Sequence, residues 1–208
     1  MLDQAARAGL PVPPGAILPD ELYRLFIDKG LVACSSDRVT VPDPELFYNT
    51  LFLSVRLPRF ARPVSIRAVV ADGCGAVAPS PAVDSGDSVA VAAALSALWT
   101  AIARCPEPVR ADVLVMETVD GEYSGRAVTG GDPGGDYIAL DPGAGAGDMR
   151  PLALDADAQP PYARRLRLLL GGVRRTFGKG AWEIEWIDDG RVCYLLHLAP
   201  IRHPAPAT

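Results

Sequence analysis

At 208 residues, with a net charge of −5 and a pI near 5.0, the chain is long enough for a full hydrophobic core and too acidic for a partner held by nucleic-acid phosphates. Cys34, Cys74, Cys105 and Cys193 show no CxxC or Cys/His ligand spacing, which argues against a zinc site or a disulfide framework and leaves free thiols in a reducing compartment as the expectation. No apolar run reaches bilayer length and the start has no secretory pattern, so a soluble, cytoplasmic protein without a membrane partner is expected; the abundance of Ala, Gly and Pro reads as bacterial.

In chain order, Leu2 to Leu10 reads as a short helix stopped by Pro11-Val12-Pro13-Pro14-Gly15, after which Ala16 to Leu18 runs extended. Asp20 to Lys29 has acids at its start, apolar residues at helical spacing and Gly30 just past its end, the marks of a helix. Pro44 to Arg56 is a second, with a core stripe of Leu46, Phe47, Leu51, Phe52 and Val55. Pro63 to Ala71 alternates as a strand, and Asp72 to Asp87 is a Gly-, Pro- and Ser-rich loop. Ser88 to Arg104, capped from Asp87 or Ser88, is apolar nearly all round, which predicts a helix buried between a sheet and a neighbouring helix.

Ala111 to Thr129 reads as two strands meeting at Asp120-Gly121, with Ser124-Gly125 letting the second pass close to its neighbours. The run Gly130 to Gly147 is glycine-rich but lacks both phosphate-loop spacings. Tyr137 to Leu140 and Pro151 to Leu154 are short strands. Pro161 to Phe177 is a helix whose arginines (Arg164, Arg165, Arg167, Arg174, Arg175) read as a solvated face or one that meets an acidic partner. The tail, 203–208, is expected to be disordered.

The sharpest element is Ala181 to Ile201. Asp188, Asp189 and Gly190 supply a turn, and strict alternation puts Ile184 and Trp186 on one face with Glu183 and Glu185 on the other. The same alternation, carried through the turn, predicts Cys193, Leu195 and His197 on the carboxylate face. Pattern alone allows a solvated edge hairpin or a site built from two acids and a histidine.

Three ordered motifs carry a resemblance: AGLPVPPGAIL at Ala8 to Leu18, the strand PVSIRAVVA at Pro63 to Ala71 leading on to ADVLVMETVDGEYSGRAVT at Ala111 to Thr129, and EIEW followed by LHLAPI at Glu183 to Ile201. Together they resemble the N-terminal ATP-grasp domain of the phosphoenolpyruvate synthase and pyruvate phosphate dikinase family, in truncated and degenerate form. The resemblance implies an α+β, ATP-grasp-like fold with antiparallel sheets, flanking helices and two small lobes around a cleft, approximately 1–105 and 106–202. It further implies that the hairpin and the strands of Ala111 to Thr129 share one sheet.

The resemblance also assigns roles. Glu185 and His197 stand where the family holds magnesium on the ATP phosphates with Glu and Gln, Arg67 where an arginine reaches those phosphates, Met116 where a glutamine lies over the adenine, and Glu122 on a glutamate. Departures are numerous: Ala68 and Val69 replace serines, Ala199 an arginine, Gly143-Ala144-Gly145-Ala146 a G-L-G-E acid, and neither Lys29 nor Lys179 stands at the phosphate-binding lysine. Met116 equally suits plain core filling, and Arg67 a surface or interdomain ion pair.

The leading functional expectation is therefore a repurposed scaffold that takes a largely apolar small molecule, without a cofactor. Glu185, His197, Glu183 and Glu122 would serve as catalytic acid/base groups, and Arg67, Met116, Val69 and Leu195 as ligand-binding residues, in a cyclase or isomerase step of secondary metabolism. The alternative is an ATP- and Mg-dependent phosphotransferase or ligase-type enzyme, with Glu185 and His197 as metal ligands. A third reading is a non-catalytic module that docks on a protein partner.

Overall fold

A computed structural model describes residues 1–36, 38–70, 78–105, 110–130, 135–141, 149–152, 160–178 and 180–201. The chain divides into two compact units, one formed by residues 14–118 and the other by 1–13 with 119–208.

Within residues 14–118, strand β1 (Gly15–Leu18) lies beside β5 (Ala111–Glu117), which lies beside β4 (Val64–Val70), every pair antiparallel. Helix α2 (Asp20–Asp28), the two-residue strands β2 (Ala33–Cys34) and β3 (Val39–Thr40), helix α3 (Pro44–Asn49) and helix α4 (Ser88–Ala103) complete it. The alternation read in the sequence sends Val64, Ile66, Val113 and Val115 into a core with Phe26, Phe47, Leu95 and Trp99. Asp87 caps α4 as expected, its carboxylate accepting from the N–H groups of Val89 and Ala90. The second expected helix is α-helical only to Asn49 and continues as a π-helical turn over Thr50–Ser54.

Helix α4 departs from expectation. Val91, Ala92, Leu95, Leu98 and Trp99 are buried, but Val89 is 63% exposed and Ala93 and Ala97 are open to solvent. Its low amphipathicity reflects small side chains on the outer face, not burial on every side.

In the other unit, α1 (Leu2–Arg7) and α5 (Pro161–Phe177) accompany a sheet of β6 (Tyr123–Thr129), β7 (Tyr137–Leu140), β8 (Arg150–Pro151), β9 (Trp182–Asp188) and β10 (Cys193–Pro200), in the order β10-β9-β6-β7-β8. Leu166, Leu170 and Val173 of α5 pack with Ile184, Trp186 and Leu195 of the sheet. Here the expectation of one shared sheet is corrected: β6 joins the hairpin, but β5 belongs to the three-stranded sheet, because residues 118–122 carry the chain from one unit to the other instead of folding β5 back on β6. Gly125 does admit a close neighbour, since a Cβ there would overlap the Ala139 carbonyl oxygen of β7.

The arginine-rich face of α5 is not simply solvated. Arg165 donates through Nε and Nη2 to the fully buried Asp188 carboxylate at 2.7 and 2.6 Å, and Arg174 pairs with Asp136 and Thr129. Asp188 is accordingly the last residue of β9, not a free turn residue. The turn itself is held by the Asp189 side chain, which accepts from Arg191 and Val192 N–H, with Gly190 at φ 85°.

Cys34 and Cys193 are free thiols, whereas Cys105 is disulfide-bonded, which overturns the expectation of free thiols at that position. Scattered spacing does not reveal which cysteines the fold brings together. Among the described residues no helix is long and apolar enough to cross a membrane. The proposed tail, the glycine run at 143–146 and Lys179 fall outside the described residues.

Candidate functional site

The hairpin builds the site. Side chains directly opposite one another in an antiparallel pair point to the same face, so the register decides who meets whom. Glu185 stands opposite His197 of β10 on one side and opposite Arg126 of β6 on the other; Glu183 stands opposite Ala199 and Val128. The result is a row, His197, Glu185, Arg126, across three strands on the face away from the α5 core. Arg126 Nη1 lies 3.5 Å from a Glu183 carboxylate oxygen, both side chains being over 40% exposed.

A β-bulge makes this row possible. The register of β10 slips between Leu195 and His197, leaving Leu196 as the extra residue. Before the bulge, Cys193 and Leu195 face inward, opposite Asp188 and Trp186; after it, His197 turns outward while Leu198 goes in. Cys193 and Leu195 are therefore not on the carboxylate face. Leu195 is fully covered in the core beneath the sheet, so a ligand on the outer face does not meet it. The sequence carried a signal for this: Leu195 and Leu198, both apolar and three apart, cannot lie on one face of an unbroken strand.

Burial pushes the Cys193 thiol up to about 12, helped by the nearby negative charge of Asp188 and opposed by Arg165. This thiol is inert at neutral pH and takes no part in chemistry at the row. The Arg165 guanidinium, hydrogen-bonded to Asp188, is held still more firmly in its charged form.

Glu122 shares the outward parity of Arg126 but lies at the far end of β6, exposed, its backbone N–H donating to the Asp188 carbonyl at 2.9 Å. Four residues of strand place it roughly 13 Å from Arg126 along the chain. Glu122 is thus apart from the row. Arg126, by contrast, was not singled out by its sequence; only the pairing of β6 with β9 brings it beside Glu185.

The remaining expected residues lie in the other unit and share a face of their own. Arg67 stands opposite Leu114, Val69 opposite Asp112, and Met116 opposite both Ser65 and Gly15. This is the face of the three-stranded sheet away from the core of Val113 and Val115. Arg67 is half-buried, Val69 is 47% exposed and Met116 is 2% exposed.

Among the described residues, no three or more His, Cys, Asp or Glu side chains converge as a metal cage. Glu185 and His197 offer at most two protein ligands. That number suits magnesium or manganese held jointly with substrate phosphates, which the protein grips through one or two ligands, and not a structural metal. The imidazole favours manganese or zinc over magnesium, an oxygen-seeking ion.

Neither a protein-family model nor a curated protein matches this sequence. Solved structures do. An L-amino acid ligase from Bacillus licheniformis matches with TM-score 0.52 at 13% identity, over 95% of this chain and 40% of that one. An N5-carboxyaminoimidazole ribonucleotide synthetase in its ADP complex gives 0.51 at 10% identity, over 97% and 44%. The D-alanine-D-alanine ligase of Helicobacter pylori gives 0.50 at 12%, over 97% and 49%.

The fold is ATP-grasp-like. This chain spans less than half the length of each of those proteins. Identity this low carries the ATP-grasp-like architecture and not the chemistry, which must be argued from the site.

Proposed function

We propose that this ATP-grasp-like chain binds a divalent cation with a phosphate group, as in a nucleoside triphosphate, on the outer face of its five-stranded sheet, and serves an ATP-dependent phosphotransfer or ligase reaction of the phosphoenolpyruvate synthase type. The observation that carries the reading is the row His197, Glu185, Arg126, made by the bulge in β10. It sets an anionic and an imidazole ligand side by side, with a guanidinium next to them that matches phosphate oxygens. The motif order in the sequence and a solved neighbour bound to ADP support the same ligand class.

The cation, when bound, supplies the neutralising charge that phosphoryl transfer depends on. The chain's own residues do the rest at this face. Glu185 and His197 would hold the ion and Arg126 a phosphate oxygen beside it, while Glu183 holds the Arg126 side chain across the strand pair. With the serine and glutamine positions of the family replaced, affinity rests mainly on this row, so binding is expected to be weak and strongly dependent on the cation.

Calorimetric titration with ATP tests the reading, run with manganese, with magnesium and with chelator. Binding should appear only with the divalent ion and weaken at least about tenfold in Glu185→Gln and in His197→Ala, the loss of one charged contact. Cation-independent ATP binding, or variants that bind like the parent, would overturn it.

A second reading, the apolar-ligand enzyme using acid/base groups without nucleotide, is favoured by one observation: Val69 and Ile17, 47% and 53% exposed, lie on the same outer face of the three-stranded sheet as Arg67. Stabilisation by hydrophobic metabolites, undiminished in Glu185→Gln and His197→Ala, together with silence toward nucleotide, would select it.

A further inference from the structure

Strands β6 to β10 carry only three carboxylates, Glu183, Glu185 and Asp188, and Asp188 is buried in the core against Arg165. Glu183 is held to Arg126 at 3.5 Å. Just past β7, the exposed Asp141 stands two strands and two positions from Glu185, roughly 12 Å away, and Glu122 lies farther still. Among the described residues of this face, the group placed to share an ion with Glu185 is therefore the His197 imidazole across the ladder.

The strand departs from a regular ladder to bring it there. With Leu195 opposite Trp186, an unbroken β10 would set Leu196 opposite Glu185; the bulge passes over the leucine and sets His197 in its place. The protein's share of the coordination is then one oxygen and one nitrogen. Magnesium takes oxygen ligands, its own waters among them, and gives those waters up reluctantly, so an imidazole adds little to its hold. Manganese suits the same carboxylate, phosphate and water oxygens and, as a first-row transition ion, also accepts nitrogen. Zinc, which imidazole suits as well, is usually fixed by three or four protein ligands, more than this face supplies.

Resting on the nucleotide reading above, we infer that His197 is the specificity-determining residue for the ion that accompanies the phosphate group, and that it selects manganese over magnesium. Arg126, which meets the phosphate, does not distinguish the two ions, and Glu185 serves both. The choice falls on the imidazole alone.

Calorimetric titration of the full chain with ATP, once in manganese and once in magnesium, gives two dissociation constants whose ratio is the readout. In the parent, ATP should bind at least about tenfold more tightly with manganese. His197→Gln, which offers an amide oxygen where the ring nitrogen stood, should bring the ratio close to unity, chiefly by weakening the manganese arm. Glu185→Gln should weaken both arms and leave the ratio as it was. Electron spin echo modulation of the bound manganese should show a coordinated imidazole nitrogen in the parent and none in His197→Gln, a signature that a merely structural histidine does not give. Equal binding with the two ions, a ratio that survives His197→Gln, or bound manganese without a coordinated nitrogen would overturn the inference and leave the nucleotide reading standing. ATP that binds with neither ion would overturn both.

Discussion

Asp188→Ala removes the carboxylate that ties the site hairpin to α5. In the parent, that fully buried group accepts from Arg165 Nε at 2.7 Å, Arg165 Nη2 at 2.6 Å and the Gly190 N–H at 3.0 Å. Each charge-assisted bond contributes about 1.5–3 kcal/mol where both partners are dry. The Arg165 side chain keeps 24% exposure and can recover some hydration when abandoned, so the low end of that range applies. Two such bonds together give about 3 kcal/mol, at the lower edge of what removing one partner from a buried ion pair costs.

Urea unfolding followed by tryptophan fluorescence reads this directly, because Trp186 lies two residues away in the same strand. The midpoint should fall with little change of slope. Much of the loss is the uncompensated guanidinium, so Arg165→Met in the same chain should recover about 1.5 kcal/mol, a coupling that a double-mutant cycle isolates. A loss below about 1 kcal/mol for Asp188→Ala, or strictly additive single losses, would refute the claim that the pair acts as a unit.

Two further predictions concern the same unit. Gly125→Ala puts a methyl against backbone atoms of Ala139 and Leu140, and since β7 must shift to admit it, stability should drop by about 1–3 kcal/mol despite the gain of up to ~1 kcal/mol from a stiffer unfolded chain; a more stable variant would show that the strands are not as close as they stand here. For Cys193, the folded thiol keeps its proton up to about 12, while the unfolded one releases it near ~8.5. Above ~8.5 the unfolded chain therefore binds fewer protons, and stability should decline by up to about 1.4 kcal/mol per pH unit, with no contribution at lower pH. Cys193→Val should flatten that decline, and urea midpoints in which parent and variant fall in parallel would sink the assignment.

What was legible in the sequence was local. Proline punctuation, the Asp87 cap and the period-2 and helical patterns were enough to locate the five helices and most strands of the described residues, because those signals act within one turn of helix or one step of strand. The three motifs carried the fold itself. Glu183 and Glu185 opposite Ile184 and Trp186 also came out as read, since alternation along one strand needs no partner.

Partnership across the chain was not legible. Whether β5 folds back on β6 or joins β1 and β4 depends on long-range pairing that the turn at Asp120-Gly121 does not encode. The bulge at Leu196 reverses the facing of everything after it, so Leu195 is core and His197 is surface although they stand two positions apart in one strand, a spacing that otherwise keeps side chains on one face. Arg126 became a site residue by pairing alone, and Arg165 lost its expected solvation to a carboxylate 23 positions away. Sequence determines which way a side chain can point along its own strand or helix; only the closed sheet, where register is chosen by burial on one face, determines what it points at.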